Sequence, residues 1–230
     1  MNPKGFVIAI DGPSGAGKST IARLLAERLE CVQIDTGAMY RSVALLMRRA
    51  GLDIANSEAV ASFCKQIDVR FDMVAGSRRV IANGEDVTDF IRTPEISLLT
   101  STVSALKPVR QAMVAAQREM GRVGRVVLEG RDIGTVVFPD ADLKVFLSAS
   151  AEERGRRRFE ELVARGEHVT LEETVQDVIR RDQQDSMRDL SPLRQADDAV
   201  AIDSTSMPID EVLNQIEALA REKLAQAGGY

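Results

Sequence analysis

The segment Gly12-Pro13-Ser14-Gly15-Ala16-Gly17-Lys18-Ser19 matches the pattern G-x-x-x-x-G-K-[ST] at every fixed position. It follows the short apolar run Phe6-Val7-Ile8-Ala9-Ile10 and precedes Ile21, Leu24, Leu25 and Leu29, which recur at helical spacing. A buried strand, a glycine-rich turn and a helix in that order open a parallel α/β sheet. The glycines let successive backbone N–H groups turn toward one point, the helix start adds partial positive charge, and Lys18 adds a full one. The expected ligand is a nucleoside triphosphate held by residues Gly12 to Thr20, with Lys18 on the β and γ phosphates, Ser19 ligating Mg2+ and Thr20 reaching the α phosphate. The alternative is a glycine-rich turn that binds nothing, against which the flanking strand and helix both count.

Further short apolar runs at Val32 to Ile34, Val126 to Leu128, Leu143 to Leu147 and Val200 to Ile202 fit additional parallel strands. Helical stretches separate most of them. Pro108 stands at a first-turn position before Val109, Ala112, Met113, Ala116 and Met120, and Ser150-x-x-Glu153 and Thr170-x-x-Glu173 read as capping boxes. One stretch departs from this plan. Ile67, Val69, Phe71 and Met73 alternate with Asp68, Arg70 and Asp72, and Ala75-Gly76-Ser77 and Asn83-Gly84 are hairpin turn signals. Residues 67 to 87 are therefore expected to form a small antiparallel sheet inserted into the α/β core.

Composition narrows the partners. The 230 residues are 44% hydrophobic and 28% charged with a formal net charge of -5, which disfavours a protein built to coat nucleic acid. Cys31, Cys64 and the single His168 do not make a zinc set, and a reducing, cytoplasmic setting is the default. The first apolar run is too short to cross a membrane, so no membrane partner is expected. No long apolar stripe marks an obligate dimer, and a monomer is expected.

No Asn/Thr-Lys-x-Asp guanine-reading segment begins at Asn56, Asn83 or Asn214, which argues against a GTP switch. Phosphoryl transfer to a small acceptor needs positive groups around the transferring phosphate, because charge spreads over its equatorial oxygens. Candidates lie at element ends: Arg41 after the second strand and Arg131 after Leu128. From Thr170 onward, Leu171, Val175, Val178 and Ile179 mark an apolar face, while Arg181, Asp185 and Arg188 repeat at i, i+4 and i+7 on another. Arg154, Arg157 and Arg158 on the preceding helix are placed to bracket the triphosphate when such a lid closes. A solvated basic face carrying surface ion pairs is the competing reading, and an RNA-binding patch a third, without interleaved aromatics.

Four segments together resemble the bacterial cytidylate kinases: Asp11-Gly-Pro-Ser-Gly-Ala-Gly-Lys18, Asp35-Thr-Gly-Ala-Met-Tyr-Arg41, Glu129-Gly-Arg-Asp-Ile-Gly-Thr-Val-Val-Phe-Pro139 and Arg181-Asp-Gln-Gln-Asp-Ser-Met-Arg188. The fold this implies is α/β, a three-layer P-loop NTPase-type arrangement: a mostly parallel sheet with helices on both faces, a small antiparallel insertion and a helical lid. Residues 1–60 and 105–230 would form the kinase core, with the lid at about 150–190, and residues 61–104 the monophosphate-binding insertion. The activity implied is transfer of the γ-phosphoryl group of ATP to CMP and dCMP.

By matching position, the resemblance puts Thr36 and Arg41 near the acceptor nucleotide, Ser101, Arg110 and Asp132 around cytosine, Asp185 on the ribose, and Arg131 and Arg188 on phosphate. Cytosine offers an amino donor beside acceptors, so a carboxylate with a hydroxyl suits one and a guanidinium the others. Discrimination against UMP is expected. Each assignment has a plainer competitor: Thr36 capping the helix near Gly37, Ser101 a surface hydroxyl, Arg110 on the exposed side of its helix. Catalysis is expected from Lys18, Arg131, Arg188 and Arg181, with the lid arginines, Arg157 among them, excluding water from the ATP site. Spacing leaves Asp11 and Glu129 both open as holders of Mg2+ waters. Rival readings are a kinase for UMP or an alcohol acceptor, and a module that uses ATP only as a ligand.

Overall fold

The computed structural model describes residues 5–74, 77–122 and 124–226. It divides the chain into two compact units, one of Met1–Gln33 with Gly121–Tyr230 and the other Ile34–Met120. Strands β1 (Phe6–Asp11), β2 (Val32–Asp35), β6 (Arg125–Gly130), β7 (Leu143–Ser148) and β8 (Val200–Asp203) lie in the order β2-β6-β1-β7-β8. β1 pairs in parallel with β6 on one side and β7 on the other, and β7 with β8. All six residues of β1 are buried, the five apolar residues Phe6 to Ile10 as a run in the middle of a parallel sheet must be, and Asp11 with them. All four further strands expected from the apolar runs are present, each within two residues of its expected ends.

In the first unit Ile8, Ile10, Ile21, Leu25, Val145, Leu147, Leu213 and Ile216 make one core, contributed by the sheet and by helices α1 (Lys18–Arg28) and α8 (Ile209–Gln226). Helices α6 (Ala151–Ala164) and α7 (Leu171–Ser186) pack on each other. The capping boxes expected at their starts differ. Thr170 and Glu173 cap α7 reciprocally, but at α6 only Ser150 accepts from the Glu153 amide. The Ser150 N–H donates instead to Thr205, and the Glu153 carboxylate takes Arg156 and Arg157. Two nearby guanidiniums outcompete one backbone amide for a carboxylate. Leu171, expected on the apolar face of α7, is exposed as its first residue, whereas Val178 is buried.

In the second unit β3 (Val69–Val74), β4 (Ser77–Ala82) and β5 (Glu85–Asp86) form the expected antiparallel sheet. Asn83 and Gly84 both have positive φ, 48° and 84°, the geometry that tight hairpins demand. The turn expected at Ala75-Gly76 lies outside the described residues. The alternation of β3 weakens along its length: Val69 is buried but Met73 is 69% exposed. Around this sheet stand α2 (Thr36–Arg49), α3 (Ser57–Cys64), α4 (Pro94–Val103) and α5 (Lys107–Met120), with α2 packed on α4 and α3 on α5.

The α6–α7 pair is close enough to require a glycine. A Cβ at Gly155 would stand 2.3 Å from Val175 Cγ2 and 2.9 Å from its Cα. Glycine to alanine within a helix ordinarily gains about 0.5–1 kcal/mol of stability. Here overpacking against backbone, which costs about 1–3 kcal/mol, should outweigh that, so Gly155→Ala is expected to lose about 1–2 kcal/mol net. Calorimetric melting checks it, and a variant as stable as the wild type would refute the close-packing argument.

Candidate functional site

The glycine-rich segment forms a turn between β1 and α1, with Gly12, Gly15 and Gly17 all at positive φ. Gly12 and Pro13 are buried, Ser14 and Gly17 half-buried, Ala16 buried, and Gly15, Ser19 and Thr20 exposed. Lys18, the first residue of α1, folds its ammonium back onto the loop and donates to the Pro13 carbonyl at 2.6 Å. The loop is braced from α6. Arg154 donates to the Ser14 carbonyl at 3.0 Å and to the Ala149 carbonyl at 2.8 Å, and pairs with Asp182 at 2.6 Å. Arg154 is thus committed to holding the loop's backbone, where spacing alone had placed it among lid residues around the phosphates. Arg157 donates to the Ser204 carbonyl and hydroxyl, and the Ser204 hydroxyl donates to Ala16 O at 3.4 Å. Arg158 pairs with Glu161.

Beside Lys18 lies a group of charges from the ends of β1 and β6 and the end of α7. Asp185 is buried between two guanidiniums, Arg131 at 2.8 Å and Arg188 at 2.5 Å. Burial pushes its carboxyl up, but Arg131 and Arg188 together hold it below the usual carboxylate range. Arg181 adds its charge to the same carboxylate. Burial and the neighbouring Arg131 lower the Lys18 ammonium to about 7, against the opposite pull of Glu129, Asp11 and Asp185. The buried carboxylates Glu129, on β6, and Asp132, just beyond it, complete this part.

After β6 the chain runs through Arg131 and Asp132 into a single π-helical turn, Ile133–Val137. Such turns recur at functional sites. The sequence offered no period from which to expect it.

In the second unit, α2 is capped by Asp35, whose Oδ1 accepts the Ala38 N–H at 2.7 Å, so Thr36 is its buried first residue and not its cap. Asp35 Oδ2 also receives Arg41 at 3.4 Å and Arg92 at 3.7 Å. Neither Asp35 nor Arg92 was singled out from the sequence; the signal available was that Asp35 closes an apolar run and precedes Thr36-Gly37. Arg110, on α5, is buried rather than solvent-facing. Its guanidinium carbon sits 5.5 Å from the Tyr40 ring centroid and Nη1 donates to the Ser104 carbonyl at 3.4 Å. Ser101 is half-buried on α4, and its carbonyl accepts from the Ser104 hydroxyl. Thr36, Arg41, Ser101 and Arg110 therefore belong to the second unit, whereas Lys18, Arg131, Asp132, Arg157, Arg181, Asp185 and Arg188 belong to the first.

The donor set suits a hard cation carried by a polyphosphate. Among the described residues no cluster of three or more His, Cys, Asp or Glu could hold a metal alone. Ser19 offers a hydroxyl in the first turn of α1, and Mg2+ is typically held by one or two protein oxygens together with substrate phosphates. Also among the described residues, no helix is long and apolar enough to cross a membrane.

A family model described as cytidylate kinase matches residues 8–222. The chain is 60% identical over 226 residues to a protein named cytidylate kinase from Geobacter sp. (strain M21), covering 98% of this chain and 97% of that one. It is 44% identical over 220 residues to the cytidylate kinase of Bacillus subtilis (strain 168), covering 96% and 98%. A solved structure of an uncharacterized protein from Eubacterium ventriosum aligns with a TM-score of 0.51 at 12% identity, covering 95% of this chain and 99% of that one, a likeness of fold.

The lowered Lys18 pKa has a consequence for anion binding. A polyphosphate drawn into the loop favours the charged ammonium and raises its pKa, so between the free and bound values the complex holds more protons. At pH 8 binding should take up a fraction of a proton, and affinity should weaken as pH rises above about 7. Titration calorimetry with tripolyphosphate in buffers of different ionisation enthalpy checks this; identical heats in all buffers would mean that Lys18 is already charged.

Proposed function

Because the chain belongs to the cytidylate kinase family, we propose that it transfers the γ-phosphoryl group of ATP to CMP and dCMP, giving ADP with CDP or dCDP for pyrimidine nucleotide metabolism. The observation that carries this reading in the molecule is the convergence on Lys18 of Arg131 and Asp185, the latter paired with Arg188, beside a complete phosphate loop. Cations from the phosphate loop, the end of β6 and the end of α7 suit a transition state whose charge spreads over a transferring phosphoryl group.

In this scheme Gly12 to Thr20 and Arg157 hold ATP. Thr36, Arg41, Ser101, Arg110, Asp132 and Asp185 hold CMP, with the insertion at 61–104 counted in the monophosphate-binding part. Mg2+ entering with ATP would be held by the Ser19 hydroxyl and would neutralise charge on the phosphates. The acceptor's 5′-phosphate has a second pKa of about 6, so at pH 7 its attacking oxygen is already largely deprotonated and needs no general base. Lys18 fixes the donor phosphates, Arg131 and Arg188 align the transferring and accepting phosphates, and Arg181 with the other arginines of α6 and α7 keeps water out. Ribose recognition by Asp185 requires it to share a carboxylate now held by Arg131 and Arg188, which would link acceptor binding to the release of those guanidiniums. The proposed working form is a cytoplasmic monomer with small-molecule substrates and no nucleic-acid partner.

The test is ADP release from Mg-ATP with CMP, dCMP, UMP, AMP, GMP or no acceptor. Stimulation by CMP and dCMP above the others is expected; equal background rates throughout would sink the reading. Arg188→Ala should lower kcat by about 10²-fold or more if that guanidinium acts on the transferring phosphate. Unchanged turnover would remove Arg188 from the mechanism.

A further inference from the structure

Asp11 is the last residue of β1 and immediately precedes the phosphate loop, yet both oxygens of its carboxylate accept hydrogen bonds from a segment beyond β6. Oδ1 accepts the Ile133 N–H at 2.8 Å and Oδ2 the Gly134 N–H at 2.7 Å. These are the first two amides of the π-helical turn, which a helix start leaves without internal partners. The residue placed to cap them is Asp132, but its side chain makes no cap hydrogen bond, and Asp11 takes the task from the end of β1.

The same turn is held beyond its other end. Lys144 Nζ donates to the Pro139 carbonyl at 2.5 Å and to both oxygens of Asp198 at 2.8 Å. A Cβ at Gly134 would stand 3.1 Å from Lys144 Cδ and 3.4 Å from Asp11 Oδ2, so the chain passes closely between these two side chains. Arg131 and Asp132 enter this fixed turn directly.

We propose that Asp11 is a positioning residue for the acceptor side of the reaction: by capping the π-helical turn it sets Arg131 and Asp132, and it does not hold the metal. The inference rests on the function proposed above. Two backbone N–H groups donating to one carboxylate are charge-assisted bonds, about twice as strong as neutral ones, one to each oxygen. Burial lifts the Asp11 carboxyl to about 6 while the Gly134 and Ile133 amides oppose the rise, so at pH 8 the group is ionised and the cap intact. The arrangement divides labour at the end of β1: the backbone continues into the donor loop while the side chain fixes the acceptor groups.

Asp11→Asn tests it, because the amide keeps the side chain's size but turns an N–H donor toward one of the two backbone donors. ADP release by the wild type with CMP is measured first; its absence would remove the kinase reading, and this role with it. With an active wild type, Asp11→Asn is expected to lower kcat/KM for CMP about tenfold or more and to narrow the preference for CMP over UMP, while the KM for ATP and the Mg2+ concentration for half-maximal rate move less than about twofold. A rise in the ATP or Mg2+ requirement with CMP parameters intact would overturn the proposal in favour of a metal role, and an equal loss in every parameter would reduce Asp11 to a structural part. Should Asp11→Asn fail to fold, Asp11→Ser, which removes the carboxylate and leaves an acceptor for at most one of the two amides, is measured in the same way. A loss confined to CMP parameters there upholds the proposal, and unchanged CMP parameters overturn it.

Discussion

The close passage of the chain over β7 at Gly12 governs the donor half of this protein. A Cβ there would lie 1.9 Å from the Leu147 carbonyl oxygen, and φ is +148°, a value that side chains rarely adopt. Only glycine lets β1, buried between β6 and β7, turn sharply at the sheet edge and hand the chain to α1 with its first amides facing outward. The position of Lys18 follows from that turn, while Arg131 and Asp185 act on it from the ends of β6 and α7.

Around it the molecule collects charge that burial alone would expel. A buried carboxylate or ammonium is tolerated when paired and hydrogen-bonded, and Asp185, Asp11 and Lys18 each have such support. Asp185 sits between Arg131 and Arg188, Asp11 takes two amides, and Lys18 rests on the Pro13 carbonyl. Lys18 remains the least well compensated, with burial and Arg131 both opposing its charge. An incoming polyphosphate relieves that opposition, so part of the site's affinity for anions is set by the cost of keeping Lys18 charged in their absence.

The second unit handles charge differently. Asp35 joins the helix cap of α2 to Arg41 and Arg92, and Arg110 is buried against Tyr40 and the Ser104 carbonyl. Asp35 is placed by the local cap of α2, whereas Arg92 and Arg110 meet Asp35 and Tyr40 from far along the chain, which is why spacing did not pick out Arg92.

The sequence by itself determined the strands, the phosphate loop, the Asn83-Gly84 hairpin and the family, because each rests on local chemistry: apolar runs long enough for a buried strand, glycines where φ must be positive, and short motifs in order. Tertiary structure decided what distant groups do to one another. Glu153 leaves its capping box for Arg156 and Arg157, Arg154 braces the loop, Arg110 turns inward, and Asp11 caps a turn after β6 that no period announced. A carboxylate or guanidinium reaches whichever partner the fold brings within about 3 Å, and that proximity is a property of the packed sheet and helices, which no sequence interval encodes.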